Sequence, residues 1–258
     1  MTIALAAIAL VMAGCAREDT SPDLRPLAVE EQASSISQSG AGYVVSWAGL
    51  LANPNRWHFG ENASAVISAV DAAGKEVVHM EQPLDAVPPG RTLPFSGQVV
   101  ATGKPVRVTI RYRPASWRPT PRIPSAFLAF PVSDILTEKV SNGSYLVTGY
   151  VTDPFAKAAP SLSVTALLRD AAGKLLGGAT SYVDRVAPGA RRRFVITVDG
   201  LNGAKVARTD ITAGTWGATA KPYVDLVRGG AAPLHTVMPS TEPFEKDRGY
   251  QPMADRRQ

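Results

Sequence analysis

Asp71-Ala72-Ala73-Gly74-Lys75 occurs again as Asp170-Ala171-Ala172-Gly173-Lys174, 99 residues further along a chain of 258. The same offset carries Pro89-Gly90 onto Pro188-Gly189, Phe95 onto Phe194 and Trp117 onto Trp216. Upstream the spacing drifts slightly. Asn53-Pro54 answers Asp153-Pro154, and Gly42-Tyr43-Val44-Val45 answers Ser144-Tyr145-Leu146-Val147. Matches in one order at nearly one spacing mark a tandem repeat of a single domain. The pentapeptide itself reads as a turn, with aspartate as turn former and glycine at the position that needs a positive φ.

Working outward from the first turn, residues 64–70 and 75–80 are joined by it as a hairpin. Before them, 43–51 forms a strand stopped by Asn53-Pro54-Asn55. After them, past the Pro88-Pro89-Gly90 turn, come 93–100 and 106–112. In Val106-Arg107-Val108-Thr109-Ile110-Arg111-Tyr112 apolar residues alternate with arginine and threonine, the period of a strand with one wet face. The second copy repeats the plan at 145–151, 162–168, 175–183 and 194–198. Short strands between proline and glycine turns, with no helical period of useful length, predict an all-β chain of two antiparallel β-sandwiches. Trp117 and Trp216, at equivalent ends of the copies, read as core residues.

This reading places a first sandwich at 24–118, a Pro-rich linker at 119–125, a second sandwich at 126–219 and a largely flexible C-terminal tail at 220–258. Four prolines between 113 and 124, with Arg113, Arg118 and Arg122 among them, predict a stiff, polyproline-like connector. Within the tail, 222–227 reads as a short strand able to dock on the second sandwich, and 242–258 as disordered.

Composition bounds the function. With 45% hydrophobic and 19% charged residues the chain is too apolar and too weakly charged for disorder. A net charge of +5 suits solubility and a mild attraction to anionic polymers or lipid head groups. A nucleic-acid surface would need basic residues gathered on one face with aromatics between them, so no nucleic-acid partner is expected. The single cysteine, Cys15, excludes an intramolecular disulfide.

Residues 3–13 are an uncharged, mostly apolar run, too short to span a bilayer, and they lead into Met12-Ala13-Gly14-Cys15. This arrangement resembles the lipobox of bacterial lipoprotein signal peptides. The resemblance implies cleavage before Cys15, with 1–14 as signal peptide, 15–23 as tether and a diacylglycerol on the Cys15 sulfur. Two or three acyl chains make a stable anchor where one is marginal. The expected location is the cell envelope, at the outer membrane if the source is Gram-negative, since Ala16-Arg17 offers no aspartate after the anchor.

A second resemblance lies in the repeat. Residues 164–174 (Val-Thr-Ala-Leu-Leu-Arg-Asp-Ala-Ala-Gly-Lys), followed by Tyr182-Val183 and Ala187-Pro188-Gly189, resemble the FxLYD-type family of bacterial immunoglobulin-like domains. In this chain Leu168-Arg169 stands where the family has a Leu-Tyr pair. The likeness covers about 60 residues of the second copy and, more weakly, 65–95 of the first. It implies envelope-facing immunoglobulin-like sandwiches with no catalytic residues.

Sites of chemistry are sparse. His58, His79 and His235 are not at metal-ligand spacing, so neither a metal nor a cofactor is expected. No G-x-S-x-G elbow or phosphate-cradling glycine loop occurs. Asp71 and Asp170 are accounted for by their turns. The loop Arg56-Trp57-His58-Phe59 puts two aromatics, an arginine and a histidine at one end of the first sandwich. Such a set suits sugar or peptide stacking; the competing reading is that Trp57 and Phe59 plug the core or pack on the other domain. Arg191-Arg192-Arg193 offers a contact for an anionic polymer or lipid, against the reading of a solvated edge that blocks strand pairing.

The sequence thus reads as an envelope lipoprotein that is a binding or structural module and not an enzyme. Its expected partners are membrane lipid, through acylated Cys15, and an envelope protein or polymer. The alternatives are a carbohydrate- or peptidoglycan-binding module using Trp57 and Phe59, and an enzyme with an unrecognised carboxylate site.

Overall fold

The structure is a computed structural model that describes residues 24–232 apart from 41, 141, 142 and 202. The lipobox-like segment, Cys15, the tether and residues 233–258 lie outside the described residues. The first copy contains β1 (Ala28–Ser39), β2 (Gly42–Ala52), β3 (His58–Glu61), β4 (Ser64–Val70), β5 (Glu76–Pro83), β6 (Thr92–Ala101), β7 (Arg107–Arg113) and β8 (Ser116–Pro119). The second contains β9 (Val132–Lys139), β10 (Tyr145–Thr152), β11 (Ala159–Arg169), β12 (Leu175–Val186), β13 (Arg191–Val198) and β14 (Arg208–Thr215), followed by α1 (Lys221–Arg228).

The strand orders are the same in both copies. Sheets β1-β2-β6 and β5-β4-β7 in the first answer β9-β10-β13 and β12-β11-β14 in the second, and every pairing is antiparallel. Val45, Trp47 and Leu51 of β2 meet Ala65, Ile67 and Ala69 of β4 in one core, while Val147 and Val151 of β10 meet Leu162, Val164, Ala166 and Leu168 of β11 in the other. Each copy is therefore a β-sandwich, and the fold is all-β as the turns and alternation predict.

Both repeated turns are built alike. The Asp71 carboxylate accepts the backbone N–H of Ala73 and of Lys75 at 2.9 Å, and Asp170 accepts those of Ala172 and Lys174 at the same distance. Gly74 and Gly173 both have φ of 82°. A second shared device sits in the cores. Gly49 lies opposite Phe95 and Gly149 opposite Phe194, and a Cβ at either glycine would come within 2.5 or 2.6 Å of the ring. Each glycine is the floor on which its phenylalanine lies.

Three expectations need correction. Residues 222–227 are not a strand but the body of α1. Tyr223, Val224 and Val227 share a helical face, Leu226 is also buried, and Pro222 sits in the first turn where its missing N–H costs nothing. No side chain of its own caps the helix; the Glu61 carboxylate of the first copy accepts the Ala220 N–H at 2.7 Å instead. Nor is the whole tail flexible, because 220–228 completes the second core. The stretch from 113 to 124 is not polyproline-like throughout either. β8 occupies its first part and pairs with β3, and after a 3₁₀ turn at Pro124–Ala126 the chain drives Phe127 into the second core against Phe59.

The sandwiches pack sheet on sheet, the outer face of β1-β2-β6 against the outer face of β12-β11. Alternate residues of β11 carry the junction. Ser163 bonds Asp85 at 2.7 Å, and Thr165 joins a hydroxyl chain through Thr180 to Ser96. Leu167 packs with Leu175 on Ala48, and Arg169 reaches Glu31.

Candidate functional site

Besides a wider one of about 670 Å³ between Ser46 and Gln98 of the first copy and Ser144 and Asp199 of the second, the junction leaves a hollow open to solvent between the 84–94 segment of the first copy and β11–β14 of the second. It measures about 150 Å³ and is lined by Asp85, Arg91, Leu93, Pro94, Ser163 and Thr165, among others. A smaller hollow of about 60 Å³ adjoins it, shares Asp85, Leu93, Pro94 and Thr165, and adds Ser96, Thr180, Tyr182 and Trp216. Register explains who points in. Tyr182 of β12, Ser163 of β11 and Gly214 of β14 face one another across the sheet, as do Thr180, Thr165 and Thr212 one step along.

Trp216 follows β14 directly and is 57% exposed, so the expectation of a core tryptophan is corrected. Its counterpart Trp117 is half-buried on β8, paired through Gly60 of β3, and the second copy has a helix where the first has that ribbon. Tyr182 is 58% exposed, and the two rings meet edge to face at 5.6 Å. Among the described aromatics only Trp57 is comparably exposed.

Asp85 anchors the cleft. Its carboxylate accepts the Ser163 hydroxyl at 2.7 Å and the Gly217 N–H at 2.8 Å, and Ala86 N–H returns a bond to the Gly217 carbonyl at 2.9 Å. Burial pushes the Asp85 carboxyl above the ordinary carboxylate range, against the lowering effect of those two donors. Burial, and then the Asp85 charge, push the Tyr182 phenol up. Across the hollow Arg91 spends one N–H on the Phe127 carbonyl at 3.3 Å and keeps the rest of its fork.

At the far end of the same interface Arg169 is buried against the Glu31 carboxylate (2.5 and 2.8 Å), Asp210 (2.6 Å) and the Gly173 carbonyl (3.0 Å). The Arg169 hydrogen bond holds Glu31 below its usual range. Burial raises Asp210, but the bonds and charges of Arg208 and Arg169 outweigh it and leave that carboxyl lowered as well.

The residues singled out in the sequence are not brought together here. Phe59 cannot contact a ligand: it is fully buried, edge-on to Phe127 at 5.0 Å and to Tyr223 at 6.3 Å, so it packs on the other domain. Arg56 and Trp57 are exposed beside it, and His58 is half-buried in β3. Arg191, Arg192 and Arg193 are exposed on β13, an edge strand. Arg191 pairs with Asp134 and lies over the Tyr150 ring at 4.5 Å. Cys15 lies outside the described residues. Among the described residues no cluster of three or more His, Cys, Asp or Glu could hold a metal ion, and no helix is long and apolar enough to cross a membrane.

Sequence reasoning missed Tyr182, Trp216 and Asp85. The signal for Tyr182 is local: Val183 beside it points inward, so on a strand Tyr182 points out.

No protein-family model matches the chain, and no curated protein matches it. Among solved structures, the N-terminal CBM22-1–CBM22-2 tandem domain of Paenibacillus barcinonensis Xyn10C is similar over 76% of this chain and 87% of that one, at 9% identity. Its TM-score is 0.13, an overlap too slight to indicate a shared arrangement.

Proposed function

We propose that the chain is a non-catalytic binding module of the cell envelope, held at a membrane by an acylated Cys15 and engaging an envelope protein or polymer through the cleft between its sandwiches. The observation that supports the reading is the Tyr182–Trp216 pair. Two large rings in contact, each more than half exposed, stand at the mouth of a hollow that also offers a carboxylate and hydroxyls. A fold stabilised by burying aromatics leaves such a pair in water at a cost, and exposed paired rings beside polar groups are the chemistry of recognition. The lipobox resemblance at Met12–Cys15 supports the anchor, and the sheet-on-sheet junction, tied by the Arg169 and Asp85 bonds, suits a surface that must keep its shape while tethered. The module needs no cofactor, and no nucleic-acid partner is proposed.

The test has two parts. Intact mass and fractionation of the wild type and of Cys15→Ala from the native host address the anchor. Acylated protein in the membrane fraction, lost in the variant, is expected; unmodified protein in the soluble fraction would sink the anchor. A photoreactive phenylalanine analogue placed at position 216, and separately at 57, addresses the cleft. Adducts from position 216 and none from 57 are expected, and the absence of adducts at 216 would sink the cleft as the contact.

A further inference from the structure

We infer that the cleft takes a carbohydrate, one pyranose ring of an oligosaccharide seated against Tyr182 and Trp216 with its hydroxyls on Asp85 and the hydroxyl chain. This deepens the binding-module reading and rests on it.

The hydrogen-bond inventory favours a ligand that both donates and accepts. Asp85, when ionised, accepts only, and each of its oxygens keeps a lone pair beyond the Ser163 and Gly217 bonds. Ser96, Thr180 and Thr165 are linked by two bonds of 2.9 Å, which consume two of their three O–H donors. One donor and several lone pairs are left over. Sugar hydroxyls match such a mixture because each can give and take.

The apolar inventory fits the same ligand. A pyranose has a C–H face that packs on aromatic rings, and Tyr182 and Trp216, tilted 65° to each other, form a corner for it. Leu93 and Pro94 carry the apolar lining between the two hollows. The hollow beneath the two rings measures about 60 Å³ and the one it adjoins about 150 Å³, both well below the roughly 300–1,000 Å³ of sites for drug-sized ligands, so the pair suits a single ring rather than a lipid chain. Asp85 and Arg91 both line the larger hollow, so neither sign of charge dominates there, which favours a neutral sugar over a nucleotide.

The experiment uses the full chain carrying Cys15→Ala, with four probes: chitotetraose, cellotetraose, xylotetraose and the disaccharide repeat of peptidoglycan. Saturation-transfer NMR reads binding, and titration gives Kd. Saturation of the C–H protons of at least one probe is expected. Trp216→Ala and Tyr182→Ser should each raise its Kd about tenfold or more, the loss of one stacked ring. Asp85→Asn should raise it several-fold, and Trp57→Ala, an equally exposed ring elsewhere, should leave it unchanged. Thermal melts establish that each variant is folded; both ring positions are exposed, so either one alone decides the matter.

No saturation from any of the four probes overturns the inference, as does a Kd indifferent to both ring variants. If the sugars fail while adducts still form at position 216, the ligand is not a carbohydrate and the binding-module reading survives. If both fail, both fall.

Discussion

β4 and β11 are the same strand of the duplicated sandwich, each the middle of its sheet, yet one is wet on its outer face and the other is not. β4 alternates between buried and half-buried residues, whereas β11 is buried at every position from Leu162 to Arg169. The inner residues do similar work in both copies. The outer ones differ: Ser68 and Val70 of β4 stand where β11 has Leu167 and Arg169. Covering the second copy's strand with the first copy's sheet makes its outward positions interface positions, and Leu167 and Arg169 are the side chains that suit them to it. The arginine after Leu168, where the first copy has Val70, is thus explained by its Glu31 and Asp210 partners.

Breaking that contact should have the largest effect. Arg169→Ala removes a buried cation that holds two carboxylates and is expected to destabilise the protein by about 3 kcal/mol, while Val70→Ala should cost under about 1 kcal/mol. Denaturant melts of the two variants check this, and equal losses would mean that the junction carries no special load at Arg169. The pH dependence follows in sign. Glu31 and Asp210 have folded-state values below the ordinary carboxylate range. Their contribution is present above that range and is lost as pH falls through the lowered values. Acid should therefore close the stability gap between wild type and Arg169→Ala.

The corners after β2 and β10 give a second contrast, because Asn53 and Asp153 are both buried but face opposite demands. The Asn53 amide donates to the carbonyls of His58, Val87 and Pro88 at 2.7–3.2 Å while its oxygen accepts the Asn55 N–H. Asp153 meets donors on both oxygens, the N–H groups of Phe155 and Ala159, each at 2.9 Å. Exchanging the residues should fail at both sites. Asn53→Asp sets a carboxylate against carbonyl oxygens and is expected to cost about 2–3 kcal/mol; Asp153→Asn turns an amide toward an N–H and should cost about 1–2 kcal/mol. Burial also raises the Asp153 carboxyl, its two N–H donors only partly offsetting it. Wild-type stability should then fall as pH rises through that raised value, and this component should vanish in Asp153→Asn. A melt series from acid to neutral pH reads both effects, and an unchanged pH profile in Asp153→Asn would contradict the assignment.

How much of this was legible varied with how local the cause was. The hairpins around Asp71 and Asp170 were readable because turn chemistry and period-two alternation are written in adjacent residues. β1, β9 and β14 were not, because edge strands such as Glu30-Glu31-Gln32-Ala33-Ser34-Ser35 are polar and lack alternation. α1 was misread because six residues with four apolar among them fit either period, and the decision lies with Glu61 and the open end of the second core. Trp117 and Trp216 both read as core from their equivalent places in the repeats, but the β3–β8 ribbon that carries and half-covers the first has no counterpart at the second. The cleft was invisible because Asp85, Ser163, Tyr182 and Trp216 come together only when the sandwiches dock.

The smallest effect tests whether the copies are equivalent where they look most alike. Asp71→Ala and Asp170→Ala each remove two 2.9 Å bonds from an exposed turn, and each should cost about 0.5–1 kcal/mol. Were the turns purely local, the two losses would be the same. They are not equally placed, however, because the Gly173 carbonyl inside the second turn accepts an Arg169 N–H at 3.0 Å, whereas the residue equivalent to Arg169 in the first copy is Val70. Loosening the second turn therefore also loosens a partner of the interface arginine, and Asp170→Ala should exceed Asp71→Ala by a few tenths of a kcal/mol. The excess should disappear in an Arg169→Ala background, where the carbonyl has nothing to hold. Equal losses in the wild-type background would instead mean that Glu31 and Asp210 fix the guanidinium by themselves and that the turn is a bystander to the junction.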